Sequence, residues 1–162
     1  MTIFLTSDLH LHHHNIIRYC NRAFPSIEAM DATLIQNWNE TVAPDDTVYF
    51  LGDLTIKKRR YWDLLERLNG VKVLVHGNHD PDGAGTPYLM KTFENVPFLL
   101  IHNPANIISD TIWTIHGHWH NNTPYMDAEN KRINISVENT EYRPIAINKI
   151  LEDICQLQSP TS

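Results

Sequence analysis

The chain has 162 residues, 42% hydrophobic and 20% charged, with a formal net charge of -6. That is the make-up of one globular domain closing one or two layers around a core. No apolar run approaches the length that crosses a bilayer, and the acidic balance argues against a broad phosphate-tracking surface, which is basic in nonspecific nucleic-acid binders.

The opening Met1-Thr2-Ile3-Phe4-Leu5 has neither a basic head nor a small-residue cleavage site. It reads as a first strand rather than a signal peptide, so the expected compartment is the cytoplasm. The run delivers Asp8 and His10, two residues apart and on one side of an extended chain, where they could grip one cation. The turn Leu11-His12-His13-His14 then enters a short helix with Asn15 near its start. Cys20 follows it and is far from Cys155, with no C-x-x-C spacing, which fits two reduced thiols better than a disulfide or a thiolate site. His13 and Arg18 are candidate substrate contacts, Arg18 because a planar guanidinium suits a phosphate. His12 and His14 read as solvated loop imidazoles.

Ser26 opens a helix whose Ile27, Met30, Leu34 and Trp38 share a face, with Glu28 in its first turn complementing the dipole. Pro44-Asp45-Asp46 turns into a strand over 47–51 that ends at Gly52-Asp53. A glycine directly before a carboxylate lets the backbone approach whatever the carboxylate binds, which makes Asp53 a candidate bridging ligand. Lys57-Lys58-Arg59-Arg60 reads as a solvated helix start. Tyr61, Leu64, Leu65 and Leu68 continue as an amphipathic helix closed by Asn69-Gly70.

A strand over 71–75 runs into His76-Gly77-Asn78-His79-Asp80. Residues 81–97, punctuated by Gly83, Gly85, Pro87 and Pro97, read as a rim loop with one helical turn near Tyr88–Phe93. Strands over 98–101 and 111–115 deliver His102 and His116-Gly117-His118-Trp119-His120. A half-exposed strand over 133–137 follows, then a closing helix through Ile147, Ile150, Leu151, Ile154 and Leu157. One domain is expected over 1–158, with 159–162 a frayed C-terminus.

Five apolar runs thus end in potential ligands, and every one of the ten histidines falls in a segment that follows such a run. Strands alternating with helices and carrying polar residues beyond their carboxyl ends match the rule that α/β sheets bind ligands there. The set Asp8, His10, Asp53, Asn78, His102, His118 and His120 is carboxylate, amide oxygen and imidazole without sulfur. It suits Mn, Fe, Zn or Ni and is poor for Ca or Mg. Seven side chains are too many for one cation and fit two that share Asp53. Two divalent ions against two carboxylates leave about +2 by simple addition, so an acidic protein can hold an anionic phosphoester.

The ordered motifs Asp8-Leu9-His10, Gly52-Asp53, Gly77-Asn78-His79-Asp80, His102 and Gly117-His118-Trp119-His120 resemble those of the calcineurin-like metallophosphoesterase superfamily. The resemblance runs from the first strand past residue 120. It implies an α/β (α+β) fold, a four-layer α/β/β/α sandwich with the site at one edge. It implies that Asp8, His10, Asp53 and His120 hold a first metal and that Asp53, Asn78, His102 and His118 hold a second. In the family the histidine at position 79 is not a ligand. It stands beside the reacting phosphorus, stabilising the transition state or protonating the leaving oxygen, with Asp80 orienting it and Asn78 near the substrate.

The pieces His13-x-Asn15-Ile16-Ile17-Arg18, Met30-Asp31, Asn37-Trp38-Asn39, Asp46-Thr47-Val48-Tyr49, Asn134-Ile135-Ser136-Val137 and Tyr142-Arg143-Pro144 look like a group of small bacterial and phage phosphoesterases. That group would carry glycine at position 12, where this chain has His12. The implied reaction is hydrolysis of a phosphodiester or phosphomonoester by in-line attack of a hydroxide shared by two ions roughly 3.5 to 4 Å apart. Manganese is the metal expected to serve in vitro, and a small nucleotide-like phosphoester the expected substrate, selected by loops because the chain has no room for a cap domain. Two other readings stay open: a nuclease acting on DNA or RNA ends, and a non-catalytic metal-binding scaffold for protein contacts.

Overall fold

In β1 (Ile3–Thr6), Phe4 points into one apolar cluster and Leu5 into another, and both are buried. β2 (Thr47–Phe50) repeats the alternation, with Val48 and Phe50 on the first side and Tyr49 on the second. Burial on both faces is the mark of a parallel strand between two layers. β1 pairs β2 in parallel, β2 pairs β3 (Val71–Leu74) in parallel, and β9 (Ile145–Ala146) closes the other edge antiparallel to β1. The computed structural model describes residues 1–108 and 110–158; the segment 159–162, expected to fray, lies outside the described residues.

Helices cover the first face of this sheet. α1 (Ile16–Tyr19) and α2 (Ile27–Thr41) follow the first strand, and α3 (Tyr61–Glu66) follows the second. Ser26 caps α2 by accepting from the backbone N–H of Ala29 at 3.2 Å, and Met30, Leu34 and Trp38 carry its apolar stripe into the core beside Phe4 and Phe50. Residues 57–60 are exposed and wind one tight turn into α3. Cys20 is buried in this layer, and no disulfide joins it to Cys155.

The second face of the first sheet meets a five-stranded sheet ordered β4-β5-β6-β8-β7, formed by β4 (Tyr88–Phe93), β5 (Val96–Ile101), β6 (Trp113–His116), β7 (Met126–Asp127) and β8 (Arg132–Asn134). Leu5, Tyr49, Leu51 and Val75 interlock there with Phe98, Leu100, Ile115 and Ile133, and α4 (Ile147–Gln158) adds Ile150, Leu151 and Ile154. Each such side chain taken out of water contributes about 1.5–3 kcal/mol. The mixed α/β class with two facing sheets is the architecture expected from the sequence. Among the described residues, no helix is long and apolar enough to cross a membrane.

Two expectations need correction. Residues 88–93 form a strand, not a helical turn, because they pair residue for residue with β5 from Tyr88↔Ile101 to Phe93↔Val96. Glu94 and Asn95 both take positive φ, 46° and 68°, as a two-residue hairpin turn of the primed type requires. Residues 133–137 alternate in polarity but are all buried, and the strand itself ends at Asn134. Asn134 and Ser136 turn inward to bond protein groups rather than water, Asn134 Nδ2 donating to the His120 carbonyl at 2.7 Å and Ser136 Oγ to Asp8 at 3.1 Å.

Register places the site. Thr6, Phe50 and Leu74 lie side by side at the carboxyl ends of three parallel strands, so the segments carrying Asp8 and His10, Asp53, and Asn78 to Asp80 emerge together. In the second sheet Ile101 pairs His116, and His116 pairs Asn134. His102 and His118 therefore emerge together too. The bridge between Ser7 and Ser136 ties the ends of the two sheets.

Candidate metal centre

Asp8 has its two carboxylate oxygens in different circumstances. Oδ2 accepts from Ser7 Oγ at 2.6 Å, the His118 backbone N–H at 2.9 Å and Ser136 Oγ at 3.1 Å. Oδ1 is buried and has no hydrogen-bond partner, and both ring nitrogens of His10 are in the same state. Unsatisfied buried polar atoms cost about 1–3 kcal/mol each, so several at one point call for a ligand. Around them His10 Nε2 stands 3.6 Å from Asp8 Oδ1 and 3.4 Å from Asp53 Oδ2, and His120 Nε2 stands 3.8 Å from Asp8 Oδ1. Atoms each about 2.1 Å from one ion lie roughly 3–4 Å apart, depending on the coordination angle. The spacing fits a shared divalent cation.

A second group sits across Asp53. His102 Nε2 is 3.3 Å from Asp53 Oδ2 and 3.0 Å from Asn78 Oδ1, and its Nδ1 faces the Leu51 carbonyl at 2.6 Å. The His118 ring lies 5.0 Å from that of His102. Donor atoms of Asp8, His10 and His120 lie within 4.8 Å of one another, as do those of Asp53, His102 and His118, and those of His10, Asp53 and His79. Asp53 Oδ2 thus faces both halves, while its Oδ1 is held by the His79 backbone N–H at 2.8 Å. The donors are oxygen and imidazole nitrogen, the set that suits Mn, Fe, Zn or Ni.

The backbone at these positions is strained. Asp8, His10, Asp53, His118 and His120 all have φ between 49° and 67°, a region costly for residues with a Cβ and tolerated where surrounding contacts impose it. Close approach is equally specific. A methyl group on Gly77 would lie 2.3 Å from Asp53 Oδ1, and one on Gly117 would lie 2.2 Å from Asp8 Oδ2. His12, where the resemblance places glycine, also has φ 63°. Its backbone N–H donates to both oxygens of Asp31 at 3.0 and 3.1 Å, which holds a conformation that glycine would take without strain.

Charge is balanced within the cluster. Burial works against ionised Asp8, yet the imidazoles of His10, His102 and His120 hold its carboxyl well below the usual range. Burial likewise opposes a charged His102, but Asp53 and Asp8 outweigh it and push the imidazole up to about 9. His120 is pushed up to about 10, its burial offset by Cys20, Glu138 and Asp8. Each positive ring occupies ground that a cation would neutralise instead.

Among the substrate-side candidates, the His79 imidazole is 44% exposed with Nε2 4.0 Å from Asp53 Oδ2, and its ring lies 5.3 Å from that of His10. The His13 ring is 5.6 Å from His10 and 6.4 Å from His79. Arg18 is exposed in the last turn of α1. The Asp80 carboxylate, expected to orient His79, instead accepts from the backbone N–H groups of Gly77, Asp53 and Leu54 at 2.9 to 3.2 Å. It braces the turn that carries Asp53. Among the described residues, His12, His14, His76 and His116 belong to no ligand group; burial pushes His116 down to about 4, a neutral ring beside the Gly117 carbonyl.

Two further residues support the centre without any sequence signal of their own. Glu138 accepts from His120 Nδ1 at 3.0 Å and pairs with Arg22 at 2.7 Å, and Arg22 donates on to the carbonyls of Asp8 and Leu9. Glu138 lies in the tight turn Val137–Asn139, beyond the end of β8 at Asn134, and Arg22 lies between α1 and α2, so neither stands at a strand end.

A family model described as Calcineurin-like phosphoesterase matches residues 1–160. The uncharacterized protein MJ1445 of Methanocaldococcus jannaschii is 42% identical over 93% of this chain and 89% of its own length. The Gene 66 protein of Mycobacterium phage L5 is 37% identical over 46% of this chain and 38% of its own. Among solved structures, the protein of unknown function AQ665 from Aquifex aeolicus superposes with a TM-score of 0.72 at 27% identity, covering 94% of this chain and 99% of that one. Vps29 from Entamoeba histolytica complexed with zinc superposes at 0.50 and 18% identity over 84% and 74%, a likeness of fold. With a match over nearly its whole length and the family's motifs gathered where the strand ends of the two sheets meet, the chain belongs to the calcineurin-like phosphoesterase family.

Proposed function

We propose that the protein hydrolyses phosphoesters with two divalent transition-metal ions, one held by Asp8, His10, Asp53 and His120 and the other by Asp53, Asn78, His102 and His118. The observation that carries this reading is Asp53 Oδ2, which faces His10 Nε2 at 3.4 Å and His102 Nε2 at 3.3 Å beside an unpartnered Asp8 Oδ1. Bound there, the ions would supply Lewis acidity toward the phosphoryl oxygens and a nucleophile at neutral pH.

The chain's own groups do the rest. Asp8 offers one oxygen because three donors hold the other. Glu138 accepts a hydrogen bond from His120 Nδ1 and so aims Nε2 inward, the usual arrangement of a metal-bound imidazole. His79, on the open side, donates a proton to the leaving oxygen, and its backbone N–H keeps Asp53 turned. His13 and Arg18 meet the phosphoester at the mouth, and the substrate is a small nucleotide-like ester.

The test is a metal assay on the purified protein, followed by a panel of nitrophenyl monoesters and diesters with added manganese. Two ions per chain and metal-dependent release of nitrophenol are expected. A folded protein that takes up no divalent metal would overturn the reading; one that loads metal yet cleaves nothing would favour a scaffold. A second reading, cleavage at nucleic-acid ends, draws on the exposed Lys57, Lys58, Arg59 and Arg60. These follow Thr55, whose hydroxyl lies 3.4 Å from His12 Nδ1 at the mouth. Steep salt dependence of cleavage would mark it.

A further inference from the structure

A cavity of about 270 Å³ opens beside the second ligand group, lined by His76, Asn78, Tyr88, Ile101, His102 and Asn106 among others. We propose that it receives the heterocyclic base of a nucleoside phosphoester whose phosphate lies on the metal pair. The inference rests on the hydrolase reading and names the part of the substrate that the reading leaves open.

Four observations lead there. Tyr88 pairs directly with Ile101, the residue before His102, and directly opposed residues point to the same face of an antiparallel pair. One strand pair therefore fixes an aromatic ring, an apolar floor and the start of the ligand segment relative to each other. The Tyr88 side is open, with the residue 42% exposed, so it is available to a ligand rather than packed away. Apart from Pro87, the remaining wall is carboxamide and imidazole, Asn78, Asn106 and His76 among them, and among the described residues the lining holds no carboxylate, ammonium or guanidinium group. A neutral flat group with donors and acceptors on its edge matches that wall, while the anionic part of the same ligand is served by the metals. Finally, the volume is at the small end for ligand pockets, room for one ring system and not for a chain.

The register that builds this wall was hidden in the sequence, where 88–93 reads as a helical turn. The segment 81–87 adds support: the His76 backbone N–H donates to the Thr86 carbonyl at 2.8 Å, which draws Pro87 and Tyr88 over the end of β3.

The experiment compares thymidine 5′-(4-nitrophenyl phosphate) with methyl 4-nitrophenyl phosphate, two diesters that share a leaving group, on the manganese-loaded protein. The native protein should prefer the nucleoside ester. Tyr88→Ala should lower kcat/KM for that ester by about 5- to 150-fold, the range of one base–aromatic stack, and leave the methyl ester within about twofold. Tyr88→Phe should keep the preference, and Asn106→Trp, which fills the cavity mouth, should abolish it. Calorimetric binding of thymidine monophosphate to the loaded protein gives the same comparison without turnover. If neither ester is cleaved but Tyr88→Ala still weakens nucleotide binding, the hydrolase reading fails and the base site stands. Equal cleavage of both esters, with binding indifferent to Tyr88, removes the base site and leaves the hydrolase.

Discussion

Replacing Glu138 by glutamine separates what this carboxylate does for the fold from what it does for the metals. Glu138 accepts three charge-assisted hydrogen bonds, from His120 Nδ1 at 3.0 Å, Arg22 Nε at 2.9 Å and Arg22 Nη2 at 2.7 Å, with its side chain 4% exposed and that of Arg22 fully buried. All three meet at Oε1, and Oε2 is buried without a hydrogen-bond partner, so a carboxamide keeps an acceptor there and what the change removes is the negative charge opposite Arg22 and His120. Breaking a buried pair on one side costs about 3–5 kcal/mol. Arg22 keeps its bonds to the Asp8 and Leu9 carbonyls, which favours the lower figure, about 3 kcal/mol of the roughly 5–15 that a domain has. For a chain of this size that lowers Tm by about 6–12 °C. Loss of the charge behind a metal-bound imidazole should also weaken metal binding by about 10- to 100-fold. Urea denaturation of the metal-free protein reads the first quantity, and manganese titration against a chromophoric chelator reads the second. Reduced stability with metal affinity within about threefold of native would refute the orienting argument and leave Glu138 as a partner of Arg22 alone.

His79→Asn should leave two ions per chain but slow turnover, most for esters with poor leaving groups; an equal loss across a leaving-group series would count against the proton-donor role. Asp53→Asn removes the oxygen facing both halves, and metal analysis should find the site emptied, whereas two retained ions would contradict a shared ligand. Gly117→Ala drives a methyl group to 2.2 Å from Asp8 Oδ2, so it should lose metal by displacing that carboxylate; native affinity in a folded variant would show that the cradle yields. In the metal-free protein His102 and His120 are raised to about 9 and 10. Their protonated forms stabilise the fold fully below pH 6.5, and that stability is lost as pH rises through 9 and 10. Metal must displace those protons, so calorimetry at pH 7.5 in buffers of different ionisation enthalpy should record release of about two protons per chain from these rings. Release of fewer than one would mean that neither ring is a ligand.

The candidate ligands were readable in advance because each stands at the end of an apolar run, and parallel strands bring such ends together whatever separates them in sequence. Asp8, Asp53, His102 and His118 meet for that reason, through the registers Thr6↔Phe50 and Ile101↔His116. What escaped reading depends on partners with no local signature. Tyr88–Phe93 holds Leu89, Met90 and Lys91, good helix formers, and only its neighbour β5 makes it a strand. Arg22 and Glu138 are 116 positions apart and acquire meaning only as a pair. Asp80 is adjacent to His79, which suggested a side-chain contact, but the turn from Gly77 swings its carboxylate onto three backbone N–H groups. The fully buried segment 133–137 carries polar side chains because the centre itself, rather than water, satisfies them.

The donors come from both sheets: Asp8, His10, Asp53 and Asn78 follow strands of the first, His102, His118 and His120 strands of the second. Ions seated among them would rivet two slabs whose other union is mostly greasy contact. Saturation a thousandfold above the dissociation constant adds about 4 kcal/mol to such a seam. Chelation should therefore let the slabs part more readily, and a protease should nick the stripped molecule at this seam long before the loaded one.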